Sequence, residues 1–264
     1  MLGVWLGLTA VAVGCLASMV GVGGGFLVVP MLVLVWGLSM QDAAGTSLLM
    51  IVFTSTSSTL AYWRQRRIDY RLGTILALGT IPGALAGAYV TSLLESELLE
   101  GLLGIFLLGL AVRMLIAREL PDRRPDPDGS CTRMVDAHGH VFEYNAKPNK
   151  GLPGSFMAGI VSGTFGIGGG TLIVPLLRLG LSVPMHIAVP TSMFMMIFTS
   201  LSAGVTHAAL GHARLEYAIP LILGIVVGTQ IGARLARRTK ARVLEKILGL
   251  CLLVVGFKLI LELV

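Results

Sequence analysis

Charge is the scarcest property of this sequence. Lys, Arg, Asp and Glu supply 13% of its residues, about half the roughly 25% of a soluble domain. That shortage excludes an ordinary water-soluble globule. Cysteine is equally sparse, with three in the chain. Cys15 and Cys251 lie in apolar runs and Cys131 in a polar loop, so neither a disulfide framework nor a metal-ligand spacing can be drawn. No basic segment precedes the first apolar run, Leu2 to Val20, and no Ala-x-Ala-like site follows it, so it reads as a retained helix and not a signal peptide. No Gly-Lys-Ser/Thr follows any glycine-rich stretch, which argues against a nucleotide loop. No paired base, nucleophile or metal set appears within an apolar run, which argues against an intramembrane enzyme and calls for no cofactor.

What the chain has is apolar length. Hydrophobic residues make up 55% of it, with 34 glycines and a mean hydropathy of +0.84. Several runs near 20 residues match the thickness of a bilayer, at about 1.5 Å of rise per residue. The expected class is an all-α polytopic membrane protein, its surface partner the lipid bilayer. The net charge of +6 sits in the loops, where it reports orientation in a membrane and no affinity for nucleic acid.

Five apolar segments occupy residues 1–117 and five occupy 152–264, separated by a polar loop over 118–151 rich in Pro, Asp and Arg. At a constant offset of 145 residues, Val29/Val174, Pro30/Pro175, Thr46/Thr191, Ser47/Ser192, Gly79/Gly224, Gly83/Gly228 and Gly87/Gly232 are identical pairs. This is an internal duplication. Arg64, Arg66, Arg67 and Arg71 follow the third segment, and Arg234, Arg237, Arg238, Lys240 and Arg242 follow the ninth, marking both loops as cytoplasmic. Glu95, Glu97 and Glu100 fit the other side. An odd number of segments per half makes the halves inverted, with both termini outside the cytoplasmic (inner) membrane.

The stretches GVGGGFLVVP (21–30) and GIGGGTLIVP (166–175) interrupt the first and second halves at equivalent places. The second, sixth and seventh segments read as only about 12–14 residues, too short to cross. Each half is therefore expected to carry a broken or re-entrant helix hairpin. Backbone without regular structure at that depth must be buried in protein or line a wet cavity. Paired breaks in inverted halves are the sequence pointer to a transporter's binding site.

At these breaks Gly23, Gly24, Gly25, Gly168, Gly169 and Gly170 offer backbone N–H groups and helix N-termini, which suit an anion, or else they only let the hairpins turn. Thr46, Ser47, Thr191 and Ser192 offer hydroxyls, either to an oxyanion or to helix capping and packing. The Thr54–Thr59 run reads as interhelical packing, and the spaced glycines at 79, 83, 87 and 224, 228, 232 as close helix crossings. Asp42, His186 and His207 border segments and read as interfacial residues ahead of proton relays; Arg113 and Lys258 can reach a helix end, and Gln230 pairs with a neighbour. His138 and His140, with Cys131, are too few for a metal site.

The duplicated Gly-x-Gly-Gly-Gly-x4-Pro, the Ala-x2-Thr-Ser elements at Ala43–Ser47 and Ala188–Ser192, and the paired Gly-x3-Gly-x3-Gly helices closely resemble the TauE/SafE family of sulfite exporters over nearly the whole chain. The resemblance implies a multi-pass carrier for small sulfur-containing anions such as sulfite or an organosulfonate, with protons as the candidate coupling ion. The 118–151 loop departs from the compact family pattern and leaves room for regulation or partner binding. A passive anion channel and a membrane sensor or scaffold are the competing expectations.

Overall fold

In a computed structural model, residues 2–116, 132–236 and 241–261 are described. Cys131 and the basic residues Arg237, Arg238 and Lys240 lie outside them. Ten helices are seen among the described residues: α1 (Leu2–Val20), α2 (Gly25–Trp36), α3 (Met40–Trp63), α4 (Tyr70–Leu93), α5 (Ser96–Ile116), α6 (Pro148–Phe165), α7 (Gly170–Pro175), α8 (Met185–Ala209), α9 (Leu215–Leu235) and α10 (Ala241–Leu261). Of these, α3, α4, α8 and α9 are long and apolar enough to cross a membrane by length and composition. Their outward faces carry Leu78, Leu93, Leu201 and Leu223, all exposed. Large apolar side chains turned outward in this way suit lipid, where water would oppose them.

Local chemistry sets the helix ends. Ser39 accepts from the Asp42 N–H (3.2 Å) at the start of α3, and Asp69 accepts from Leu72 N–H (2.9 Å) at the start of α4. Pro175 carries no N–H to continue α7, and the chain loosens into a π-helical turn over Leu176–Gly180. One sequence expectation changes here. The sixth segment is not short: α6 starts at Pro148, where proline suits a first helical turn, and runs 18 residues. The polar loop carries a β-hairpin. Residues 132–135 (β1) and 141–144 (β2) pair antiparallel, Thr132 opposite Tyr144 and Val135 opposite Val141.

The helices pair across the two halves of the sequence. A methyl group on Gly83 would overlap the Phe156 carbonyl and one on Gly87 the Ile160 carbonyl, so α4 lies backbone-to-backbone on α6. The same holds 145 residues on, where Gly228 abuts the Val11 carbonyl and Gly232 that of Cys15, setting α9 on α1. Small residues let helices approach this closely where lipid offers no hydrophobic drive. Leu48, near the start of α3, packs against Gly204, near the end of α8, so those equivalent helices run antiparallel. The main apolar core, with Phe26, Leu32, Met50 and Ile51 among its members, surrounds the two glycine turns.

Candidate functional site

Both glycine stretches fold as tight left-handed turns. Gly21, Gly23 and Gly24 have φ of 83°, 76° and 87°, and Gly166, Gly168 and Gly169 have 68°, 80° and 74°. Side chains rarely tolerate this region, so glycine is required at these positions. Each turn ends one helix and opens another, with Gly24 and Gly169 as N-caps that lack a side-chain acceptor. The N–H groups of Gly23, Gly24, Gly25, Gly168, Gly169 and Gly170 have no hydrogen-bond partner among the described residues. Such donors, at buried helix starts, favour an anionic partner.

The two turns lie side by side at the centre of the bundle. A methyl on Gly25 would stand 2.6 Å from the Gly166 carbonyl oxygen, and one on Gly170 would stand 2.5 Å from that of Gly21. Ser47 donates to the Gly166 carbonyl and Ser192 to the Gly21 carbonyl (3.0 Å), so each serine ties its helix to the opposite turn. Ile51 and Met196, again equivalent residues, cover Gly23 and Gly168. The threonines stand apart. Thr46 accepts from the Arg214 N–H (3.1 Å) and Thr191 from the Asp69 N–H (3.0 Å), each fastening the first residue before α9 or α4. The structure therefore brings the six glycines and two serines together and places the two threonines at the flanking loops.

The turns differ in their surroundings. Gly24 faces Val13, Ala17 and Ile225, whereas Gly169 faces Ser162, the Ala158 carbonyl and Ile173. Ser162 Oγ and Thr171 Oγ1 are buried with no hydrogen-bond partner among the described residues, and their equivalents in the first half are Ala17 and Phe26. Thr80, which replaces Ile225, bonds Thr199 hydroxyl to hydroxyl at 2.7 Å. Beside the second turn Ser162 and Thr171 thus carry hydroxyls where Ala17 and Phe26 carry hydrocarbon beside the first, in addition to the Ser192 hydroxyl that stands by Gly21. Comparing the two repeats position by position would have exposed this difference in the sequence.

The remaining candidates sort by place. Gln230 donates to the Ser57 carbonyl and hydroxyl, both at 2.9 Å, and Thr229 donates to the same hydroxyl at 2.8 Å, so the third-segment polar run does join helices. Within that run Ser58 Oγ and Thr59 Oγ1 are buried without a partner among the described residues. Asp42 pairs with Arg214 (2.9 Å). His186 lies against Phe142 of β2, and Arg113 and Lys258 each have an interaction partner. His138 and His140 donate their backbone N–H groups to the buried carboxylate of Asp136 (2.8 and 2.9 Å), which Arg67 grips at 2.6 Å. Burial alone would raise the Asp136 pKa, but Arg67 and these N–H groups outweigh it and hold the carboxyl far below the usual range. Tyr144 is buried and donates to Asp69 (2.6 Å); burial first, then that carboxylate, push its phenol upward. The hairpin is thereby clamped onto the turn between α3 and α4.

Known proteins match this arrangement along its length. The sequence profile described as sulfite exporter TauE/SafE matches residues 6–259. The chain belongs to the TauE/SafE family. It is 35% identical to the probable membrane transporter protein YunE of Bacillus subtilis, across 97% of this chain and 96% of that one. It is 25% identical to the probable membrane transporter protein MJ0441 of Methanocaldococcus jannaschii, across 94% and 92%. A shorter stretch, 24% of this chain and 15% of the other, is 42% identical to sulfite exporter TauE/SafE family protein 6 of Arabidopsis thaliana. No solved structure matches. As a TauE/SafE family member the chain is a multi-pass membrane transporter, in keeping with its apolar helices.

Proposed function

We propose that this transporter moves small sulfur-containing anions, sulfite or an organosulfonate, by alternating access between two inverted repeats spanning 1–117 and 152–264. The Arg67 end, with the 118–151 loop, faces the cytoplasm of the inner membrane, and both termini lie outside. The observation that carries the proposal is the pair of crossed turns whose glycine N–H groups lack partners. The anion binds to the N–H groups of Gly23, Gly24, Gly25, Gly168, Gly169 and Gly170, flanked by Ser47 and Ser192. Thr46 and Thr191 hold the loops that frame this site. Neutral donors on opposed helix starts suit a carrier, because they bind modestly and release. Ile51 and Met196 cover both turns and must move before cargo enters, which favours a moving carrier over a standing channel.

The anion leans toward the second turn, where the Ser162 and Thr171 hydroxyls await an acceptor. Ser162→Ala tests this placement. Losing a hydrogen bond to a charged group costs about 1.5–3 kcal/mol, roughly ten- to a hundredfold in affinity. Sulfite binding to the purified protein should weaken by about tenfold or more, while the melting temperature holds or rises because an unpaired buried hydroxyl has gone. Unchanged affinity would move the cargo off Ser162. Flux of sulfite, thiosulfate, sulfoacetate and sulfate into proteoliposomes identifies the substrate.

A further inference from the structure

At the Arg214 end, the last turn of α8 carries His207, which is fully buried. Its Nε2 lies 2.9 Å from the Gly163 carbonyl of α6, and its Nδ1 lies 3.2 Å from the Nδ1 of His212 in the turn between α8 and α9. Geometry fixes the hydrogens. A carbonyl only accepts, so His207 Nε2 carries one, and a single hydrogen fits between the facing Nδ1 atoms. In the neutral pair His212 Nδ1 supplies that hydrogen, leaving His212 Nε2 bare on a partly exposed residue.

We propose that His207 and His212 form a one-proton site, through which this end of the transporter takes up and releases the ion coupled to transport. A proton arriving from water bonds to His212 Nε2. The His212 Nδ1–H bond then breaks as a His207 Nδ1–H bond forms, and the positive charge passes to the buried ring with no atom left over. The inference rests on the transport reading for its purpose and on the ring geometry for its existence.

The neighbours allow it. From α3 the facing acid is Asp42, already engaged by Arg214, and Glu216 of α9 also acts on Arg214. From α6 comes the Gly163 carbonyl, and α4 meets α8 through Thr80 and Ile81, neither of which titrates near neutrality. The equivalent place in the other half supplies the contrast. Tyr62 stands where His207 would, donating to the Ser18 carbonyl at 2.7 Å, and Ser18 is the equivalent of Gly163. Arg67, the equivalent of His212, is bound to Asp136. An imidazole changes charge near physiological pH and a phenol does not, so of these two equivalent positions His207 alone carries a group that exchanges a proton there.

Nitrogen-15 NMR of the histidine rings, on the full protein in lipid bilayers, reads the pair without transport. The expected signature is a hydrogen shared between His207 and His212 that disappears in His212→Asn. A His207 spectrum identical in that variant overturns the proposal. In proteoliposomes driven by a methanesulfonate gradient, whose anion carries no titratable proton, proton movement per anion should fall at least tenfold in His212→Asn. It should fall likewise in His207→Tyr, which keeps a donor for Gly163. Coupling retained in both folded variants also overturns it. If wild-type vesicles move neither methanesulfonate nor sulfite, the transport reading fails, and the NMR signature decides the proton site by itself.

Discussion

The two ends of the bundle are built from equivalent residues and finished differently. At one end the turn between α3 and α4 lies under a β-hairpin, with Ala137 N–H bonded to the Gln65 carbonyl (3.0 Å), Arg67 to Asp136 and Tyr144 to Asp69. At the other end the turn between α8 and α9 has no such cover among the described residues. A half-exposed pair, Arg214 with Asp42, fastens it there, beside the His207–His212 contact. Equivalent positions are thus finished with a clamp at one end and with a buried histidine contact at the other. Under the alternating access proposed above, ends of unequal strength would open unequally. By this comparison the clamped end is the harder to open.

Asp136→Ala leaves Arg67 almost buried and unpaired, and breaking a buried pair costs roughly 3–5 kcal/mol. The hairpin should come off its turn and become cleavable by protease at 132–144, while the helices persist. The same docking should fail in acid. Asp136 is held below its unfolded pKa of about 4, so its contribution is complete above that pH and fades as pH falls below it. Protease sensitivity of the hairpin should therefore appear in acid and be absent at pH 7.

Helix-crossing glycines come next. Gly83→Ala and Gly228→Ala each push a methyl into a backbone carbonyl, and overpacking of this kind costs about 1–3 kcal/mol. Equal losses of thermal stability are expected, since the two crossings are equivalent. Gly109→Ala in α5 has open space around its methyl and should stabilise slightly, by up to about 1 kcal/mol. Smallest of all is Asp42→Asn. Its partner Arg214 is exposed, and surface pairs contribute little, so a thermal melt should barely register the change.

Much of this architecture was legible in the residues. The apolar runs gave α3, α4, α8 and α9 nearly to their ends, because lipid demands long unbroken helices. The glycine spacing predicted close crossings, but not that α4 would cross α6 and α9 cross α1, since periodicity names a face and not its partner. The Asp136–Gly139 turn and the alternation on either side of it were there to read. They were hidden by the surrounding charge and proline of the loop. At the candidate site the turns could be foreseen from glycine alone. The separation of Thr46 and Thr191 from Ser47 and Ser192 could not, because neighbours in sequence point to different sides of a helix. Ile51 and Met196 look like ordinary core residues until the turns are placed beneath them.

The central claim is that an anion occupies the crossed turns and is carried by a protein that moves. Exchange flux tests it most directly. Proteoliposomes holding the wild-type chain would be loaded with unlabelled sulfite, and entry of labelled sulfite compared with that into empty vesicles. A carrier that reorients faster when loaded predicts saturable entry, stimulated by sulfite on the far side and reduced by Ser162→Ala. Entry that rises linearly with concentration and ignores internal sulfite would describe an open pore and contradict the account.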